Sequence, residues 1–108
     1  MPAYVIYFCH EFRDKQGHLD YAAAFPETVK DIEYKVLAAY TDYEVLEGHE
    51  PVKGAVLIEF QSYEIAKKWY DSAEYARVRG HRIRNSYTGI LIDGGSRPLA
   101  ERFPEVAL

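Results

Sequence analysis

One carboxylate in this sequence lies in a setting that could make it reactive. Glu59 belongs to an apolar segment, residues 55–60, and shares a face with Ala55 and Leu57 if that segment is a strand. Loss of water around a carboxylate favours its protonated form, which would suit Glu59 to proton transfer. Structural pairing near the strand end is the alternative, because ion pairs also hold carboxylates in place. Glu59 is therefore a candidate general base.

Two of the four histidines could also move protons, since imidazole exchanges protons near neutral pH. His10 ends the first apolar segment, and His81 follows Gly80 where a predicted helix gives way to a strand. Each could instead be a surface or capping histidine, because hydrogen-bond geometry decides between these roles. His18 and His49 fall in predicted turns, where we expect them to be solvated.

A group of arginines lies close together in an otherwise acidic chain. Four arginines fall within residues 77–84, alongside His81, at positions 77, 79, 82 and 84. Guanidinium groups bind carboxylates and phosphates through paired hydrogen bonds, so the group could recognise an anion. Arginines near a helix C-terminus also complement the helix dipole while staying solvated. Arg84 leads into the last predicted strand, and it is our candidate anion partner.

Ten tyrosines and one tryptophan give the chain many aromatic rings with polar tips. Rings that line a cavity can stack on an aromatic ligand while their polar groups orient it. The alternative is that the rings fill the core and the seam of a dimer, as aromatic residues often do. Our candidates for contact with a ligand are Tyr7, Trp69, Tyr70 and Tyr75.

The composition limits the classes of partner. The net charge of -4 and the pI near 5.5 argue against nucleic-acid binding, which needs a basic surface. No residue spacing reproduces a metal motif, a phosphate-binding loop or a Gly-x-Ser-x-Gly nucleophile motif, so we expect no metal and no cofactor. The lone Cys9 and the lack of an apolar run of about 18 residues predict a cytoplasmic protein without a membrane partner.

The first half of the chain predicts a strand, a helix and a second strand. β-Branched and aromatic residues predict the first strand over Ala3 to Cys9. From Asp20 apolar residues recur at helical spacing, with a kink or a restart expected at Pro26. Residues 35–47 alternate imperfectly, which predicts a long strand with a bulge at residues 41–42.

The second half predicts two more strands around a helical region. Gly54 to Phe60 is an almost continuous apolar run, typical of a central strand, and we expect it beside the first strand. Ser62 is a good helix N-cap, Asp71 indicates a second capped start, and Gly80 indicates a stop. Ser86 to Ile92 is the last predicted strand.

The resulting order, β-α-β-β-α-β, indicates the ferredoxin-like α+β fold, an antiparallel sheet with both helices on one face. We expect one domain over residues 1–95 and a C-terminal tail over residues 96–108. The other face of such a sheet is bare. If it is apolar and aromatic, two copies bury it by pairing face to face, so we expect a homodimer that forms a dimeric α/β barrel.

The segment from Phe60 to Tyr75 resembles one known family. Its pattern is a strand ending in Phe60, then Ser62, then the motif Trp69-Tyr70-Asp71-Ser72-Ala73-Glu74-Tyr75. Two further motifs outside this segment also match the family, Val45-Leu46-Glu47-Gly48 and Asp93-Gly94. Over roughly residues 3–94 the chain resembles the family called domain of unknown function 1330. The resemblance implies a dimeric α/β barrel, in a superfamily that also contains cofactor-independent monooxygenases, polyketide cyclases, muconolactone isomerases and haem-degrading enzymes.

Tyr75 is a departure from that superfamily's enzymes. Several of them resemble this chain around residues 70–75 but carry a histidine where this sequence has Tyr75. A phenol is a weaker base than an imidazole at neutral pH. The resemblance therefore implies the fold more directly than it implies an acid–base mechanism.

These features predict a small homodimer that binds a small aromatic or polyketide-like molecule in a pocket between sheet and helices. Any chemistry would be cofactor-independent proton transfer or oxygenation. The alternative is a non-catalytic ligand-sensing, accessory or stress protein that uses the same dimer. In the first case Glu59 or His10 acts as the base, and Arg84 binds an anionic group of the ligand. His81 and Tyr75 are further proton carriers. The rings that form the walls of the pocket are those of Tyr7, Trp69 and Tyr70.

Overall fold

One antiparallel sheet organises the computed structural model, which describes residues 1–105. Its strands are β1 (Ala3–Glu11), β2 (Tyr34–Ala39), β3 (Gly54–Phe60) and β4 (Ser86–Asp93). Their order across the sheet is β2-β3-β1-β4. The two most apolar segments, β1 and β3, therefore lie at the centre beside each other, as the sequence predicted.

Helices cover one face of this sheet. They are α1 (Lys15–Thr28), α2 (Tyr63–Tyr70) and α3 (Ala73–Ile83), while a short helix, α4 (Leu99–Arg102), lies in the tail. α2 packs on β1, β3 and β4, and α1 packs on α3. This β-α-β-β-α-β order, with the second helical region broken in two, confirms the predicted ferredoxin-like fold. Within residues 1–105, no helix has the length and apolar character needed to cross a membrane.

Side chains alternate between the two faces of the sheet, and only one face is covered. The residues of β1 buried beneath the helices are Ala3, Val5, Tyr7 and Cys9. The residues between them are partly exposed on the opposite face, where neighbouring strands add further apolar side chains. This open face of the sheet carries Tyr4, Ile6, Phe8, Leu57 and Ile92.

α1 begins earlier than the sequence predicted, at Lys15 rather than Asp20. Its N-cap is Asp14, whose carboxylate accepts a hydrogen bond from Gly17 N at 2.9 Å. Pro26 lies in the last turn, and the helix ends at Thr28. The helix does not restart at Pro26, because the chain leaves the helix within two residues of the proline.

β2 is much shorter than the strand predicted over residues 35–47. It ends at Ala39, and its pairing register with β3 shifts between Val36 and Ala38 rather than at residues 41–42. Tyr40 follows with a φ of 55°, a left-handed conformation that interrupts an extended strand. The Tyr40 N–H still donates to Ala55 O at 2.9 Å, and the chain then leaves the sheet until β3.

Two serines cap the helices on either side of the α2–α3 junction. Ser62 caps α2 as predicted, since its hydroxyl oxygen accepts from Ile65 N at 3.1 Å. Ser72 caps α3 by accepting from Tyr75 N, also at 3.1 Å. The predicted cap, Asp71, instead ends α2.

α3 continues past Gly80, where the sequence predicted a stop, and reaches Ile83. A glycine inside a helix costs about 1 kcal/mol relative to alanine. Tyr75, Val78 and Arg82 recur at steps of three and four and are all buried on one side of the helix. Packing of that side outweighs the cost of the glycine, and it carries Arg82 into the interior.

Asn85 ties the end of α3 to the start of α1. Its buried side-chain oxygen accepts from Arg13 N at 2.6 Å and from Asp14 N at 2.8 Å. Its amide group donates to Asp14 O at 3.1 Å. These bonds fix α1 relative to α3, the two helices that bound the candidate site.

We expect replacement of Ser72 by alanine to lower the free energy of unfolding by about 1 kcal/mol, the usual cost of losing a helix N-cap. Asp71→Ala is the matched control, because it removes an exposed side chain whose one ion pair within residues 1–105 is with Lys67, and it should cost less than about 0.5 kcal/mol. Urea denaturation of both variants measures the difference. A larger loss for Asp71→Ala would contradict the assignment of the cap.

Candidate functional site

A cavity with aromatic walls lies between the sheet, α1 and α3. Its volume is about 310 Å³, which is the size of a small-molecule site. Val56 and Ile58 of β3 add apolar surface to it. Arg82 from α3 also borders the cavity, and its ring-bearing lining residues are Tyr7, His18, Tyr21, Phe25, Tyr40 and Tyr87.

Three phenols meet at one wall of this cavity. The Tyr75 hydroxyl lies 2.8 Å from the Tyr7 hydroxyl and 2.8 Å from the Tyr21 hydroxyl. A hydroxyl group has one donor and two acceptor sites, so Tyr75 can serve both neighbours at once. Because the three residues belong to α3, β1 and α1, this phenol junction joins the sheet to both helices.

A second pair of phenols closes the other side. The Tyr40 and Tyr87 hydroxyls lie 2.6 Å apart, which joins the end of β2 to β4 across the sheet. Tyr40 can fold inward because its left-handed backbone conformation turns it over Gly54. A Cβ at position 54 would lie 2.7 Å from the Tyr40 ring, so any larger residue would displace the ring.

Gly89 on β4 has the same relation to Tyr7. It is the cross-strand partner of Tyr7, and a Cβ there would lie 2.6 Å from the Tyr7 ring. The ring of Tyr7 occupies the space that a side chain would need. Gly89 thus allows Tyr7 to lie across β4 and hold its hydroxyl at the phenol junction.

The phenols of the cavity are held in their neutral form. Burial raises the pKa of Tyr7, Tyr21 and Tyr87 far above the ordinary phenol value, and the hydrogen-bonded neighbouring phenols raise it further. Burial also raises the pKa of Tyr40. These groups therefore donate and accept hydrogen bonds at physiological pH and do not act as anionic bases.

Arg82 is a buried cation surrounded by these rings. Only 7% of the residue is exposed, and its guanidinium carbon lies 4.2 Å from the centre of the Tyr7 ring and 5.4 Å from that of Tyr87. Burial alone would lower the pKa of Arg82, but electrostatic attraction to the hydroxyl oxygens of Tyr75 and Tyr7 and a hydrogen bond with Tyr75 raise it above the ordinary value. The guanidinium thus remains charged inside the protein.

No carboxylate of the described residues neutralises this cation. Within residues 1–105, no Asp or Glu oxygen lies within 4 Å of the Arg82 nitrogens, and its buried Nε has no hydrogen-bond partner. Attraction to the ring faces offsets part of the charge, by about 1–2 kcal/mol. A buried ion normally has a counter-ion or several hydrogen bonds, so Arg82 is the unusual group of this structure.

Trp69 and Tyr70 do not line the cavity of about 310 Å³. Trp69 packs behind Tyr75, with ring centres 4.1 Å apart, and its Nε1 donates to Thr28 Oγ1 at 3.0 Å. It is a core residue. Tyr70 lines a second cavity of about 500 Å³ between α2, α3 and β4, and Arg82 borders that cavity as well.

Glu59 and His10 lie on the open face, away from the cavity. Glu59 pairs with Tyr4 across the sheet, and His10 follows the same alternation along β1. The His10 ring contacts Pro51 O through Nδ1 at 2.8 Å and Thr88 Oγ1 through Nε2 at 2.7 Å. Since a carbonyl only accepts, Nδ1 carries a hydrogen, and His10 anchors the β2–β3 connection to the sheet.

His81 and Arg84 are also outside the lining. His81 lies on α3 with its Nδ1 buried and unpartnered among the described residues. Arg84 follows the helix, is exposed, and reaches Asp14 Oδ2 at 3.4 Å. Of the predicted site residues, Tyr7 and Tyr75 meet at the phenol junction, while Glu59, His10, His81 and Arg84 do not converge there.

The described residues contain no group of three histidine, cysteine, aspartate or glutamate side chains that could hold a metal ion. The polar groups of the cavity lining are phenols, one guanidinium and one imidazole. His18, which the sequence assigned to a solvated turn, packs between the rings of Phe12 and Tyr40 at 5.4 and 5.1 Å.

One family model spans both the sheet and the helices that form the cavity. It is the domain of unknown function DUF1330, and it matches residues 2–95. The chain belongs to the DUF1330 family. The family resemblance of the segment from Phe60 to Tyr75 is thereby confirmed. No curated protein matches the sequence.

Solved structures share the fold of this DUF1330 domain at low identity. A protein of unknown function from Rhodopseudomonas palustris is 11% identical, with a TM-score of 0.67, over 89% of this chain and 84% of its own. A dimeric ferredoxin-like protein of unknown function from Jannaschia sp. CCS1 is 9% identical, with a TM-score of 0.64, over 87% and 100%. A Dabb family protein from Mesorhizobium loti is 9% identical, with a TM-score of 0.55, over 88% and 98%. Such identities establish the fold alone.

Arg82, the cation at the DUF1330 cavity, belongs to the group of four arginines that the sequence suggested as an anion site. Arg84 was chosen from that group because it leads into the last predicted strand, and Arg82 was not singled out. The signal that would have found it is the spacing of Tyr75, Val78 and Arg82. Sequence pattern alone offered no comparable signal for Tyr40, whose inward position depends on one backbone angle.

We expect Tyr75→Phe to lower the free energy of unfolding by about 1–3 kcal/mol, because it leaves the buried Tyr7 hydroxyl and the Tyr21 hydroxyl without their shared partner. Tyr70→Phe removes the same atom from a neighbouring ring whose hydroxyl makes no hydrogen bond within residues 1–105, and it should change stability by less than about 0.5 kcal/mol. Chemical denaturation compares the two. Equal effects would mean that the phenol junction contributes nothing.

Proposed function

We propose that this DUF1330 protein binds a small aromatic or polyketide-like organic molecule in the cavity bordered by Arg82. The observation that supports this most strongly is a charged guanidinium, 7% exposed, beside an aromatic cavity and without a carboxylate partner among residues 1–105. Small-molecule sites combine apolar walls with a few fixed polar groups. The cavity offers both.

The phenols give the cavity directional contacts. Tyr7, Tyr21, Tyr40 and Tyr87 line it, and their raised pKa values keep their hydroxyl groups protonated. Their rings can stack on a planar ligand while the hydroxyl groups orient its oxygen atoms. A flat molecule that carries several oxygen atoms fits this pattern best.

Any turnover at this site would be cofactor-independent proton transfer with His18 as the base. Its imidazole has a ring nitrogen that can accept a proton, whereas the other polar groups of the lining are neutral phenols and the Arg82 guanidinium. A proton taken from a carbon beside a carbonyl would pass to the imidazole, and its electron pair would move onto the carbonyl oxygen. Arg82 and the phenols would stabilise that oxygen. Glu59 and His10 lie on the other face of the sheet.

The alternative is a non-catalytic sensor or accessory protein that uses the same cavity. It is favoured by the phenols being neutral and by the lining residues including no carboxylate. Binding is common to both possibilities. Measurement of proton exchange or oxygen uptake with a bound ligand separates them.

The protein also forms a homodimer in this proposal, through the open face of the sheet. Ile92 is 48% exposed there, next to the aromatic and aliphatic side chains of β1. An exposed apolar sheet face is stabilised by burial against an identical face, and structures with the same fold are described as dimeric. The cytoplasmic location expected from the sequence stays a prediction.

A series of aromatic acids tests ligand binding: benzoate, 2-naphthoate and 2-anthracenecarboxylate, which grow by one ring, together with their primary amides. A ligand at 100 times its dissociation constant should stabilise the protein by about 2.7 kcal/mol, visible as a rise in melting temperature. At least one of the six compounds should bind.

Two tryptophan variants locate the binding. Ala22→Trp should abolish the shift, because residue 22 lines the cavity and the indole would fill it. Ala23→Trp adds the same group to the next position of α1, which is exposed and outside the lining, and it should preserve the shift. Binding that survives in Ala22→Trp, or no binding by any compound, would refute the proposed function.

For the dimer, we expect Ile92→Glu to produce a monomer, because it places a charge among the apolar side chains of the paired faces. Leu19→Glu is the control, since Leu19 is 49% exposed on α1, away from the open face. Sedimentation velocity distinguishes the two states. A dimer that persists in Ile92→Glu would exclude this face as the interface.

A further inference from the structure

We infer that the ligand is a planar monoanion, an aromatic carboxylate, whose charged group is neutralised by Arg82. This inference rests on the proposed function and specifies the chemical class of the ligand. Arg82 becomes the anion-binding residue, in place of the Arg84 that the sequence suggested.

The burial of Arg82 requires a counter-charge. Arginine is almost never this buried without a partner, because water solvates the ion far better than protein does. Its contacts within residues 1–105 are ring faces and the Tyr75 hydroxyl, which carry no negative charge, and its Nε has no acceptor. An anionic ligand would supply the missing partner at the moment of binding.

The electrostatic setting favours an anion on both sides of Arg82. The guanidinium, together with Tyr7 and Tyr87, forms the partition between the cavities of about 310 and 500 Å³. Neither cavity is lined by an aspartate or glutamate. The other basic groups in the linings are His18 and Lys67, and Lys67 is already paired with Asp71. An anion that enters therefore meets a positive potential with no competing carboxylate.

The number and type of donors favour a carboxylate over a phosphate. One guanidinium neutralises one negative charge, and its planar fork matches the two oxygens of a carboxylate. A phosphate dianion needs further cations or a cluster of backbone N–H groups, and the linings are instead dominated by aromatic and aliphatic side chains. The aromatic walls then select a ring as the body of the ligand.

The matched acids and amides of the ligand series test the charge directly. For the wild-type protein, isothermal titration calorimetry should give a dissociation constant at least tenfold lower for the acid than for its amide. Arg82→Gln should bind the acid and the amide with about equal affinity, and its affinity for the amide should equal that of the wild type. Arg77→Gln removes a charge from the same helix at an exposed position outside both cavities, and it should keep the preference.

Stability separates a binding role from a structural one. In the absence of ligand, Arg82→Gln should have a urea midpoint no lower than that of the wild type, because an unpaired buried ion is a cost to the fold. Arg82→Lys retains the charge without the planar fork, and it should keep part of the preference for the acid. It also serves as the test variant if the glutamine variant fails to fold.

Each outcome decides the inference. Amides that bind as tightly as acids would overturn it while leaving the cavity as the ligand site. A lower urea midpoint in Arg82→Gln with an unchanged preference for the acid would assign Arg82 to structure and overturn it as well. No binding by any acid or amide would remove the proposed function and the inference together.

Discussion

The Tyr75 hydroxyl is the point at which the sheet and the two long helices are joined. It contacts Tyr7 of β1 and Tyr21 of α1 at 2.8 Å each, and it belongs to α3. Most of the surrounding apolar packing is non-directional, whereas the hydrogen bonds among these three hydroxyl groups require particular distances and angles. The cavity exists because the phenol junction sets the distance between α1, α3 and the sheet. Ser72, which caps the first turn of α3, places Tyr75 in that position.

Arg82 follows from the same placement, two turns further along α3. Once Tyr75 and Val78 face the interior, helical spacing brings Arg82 to the same side. A fold selected for stability alone would place an apolar side chain there, because removal of a buried ion in favour of a hydrophobic residue is usually neutral or stabilising. The persistence of a charge at the least favourable position is typical of a site that gives up stability for function.

The sequence predicted those elements whose residues carry a complete local pattern. β3 was predicted with its correct bounds and Ser62 as a cap, because apolar continuity and capping chemistry are local. β2 was predicted too long, since the left-handed turn at Tyr40 depends on the ring of Tyr40 packing over Gly54, a contact between strands. Tyr7 and Tyr75 were predicted as site residues from the chemistry of their rings. The contact between their hydroxyl groups depends on the tertiary structure, so the sequence could not predict it. Arg82 was predicted only as one of four clustered arginines, because its burial depends on α3 continuing past Gly80 and packing on the sheet.

Gly89 shows that exposure and tolerance to mutation are separate properties. The residue is on an edge strand and open to solvent, where surface criteria would rank it among the freely variable positions of the chain. Its missing Cβ is nevertheless the space in which the Tyr7 ring lies. Any side chain there would push Tyr7 away from the phenol junction, so this surface position is under the steric constraint of a core residue. A redesign that replaced residues according to solvent accessibility alone would substitute Gly89 and thereby displace the Tyr7 ring from the candidate site.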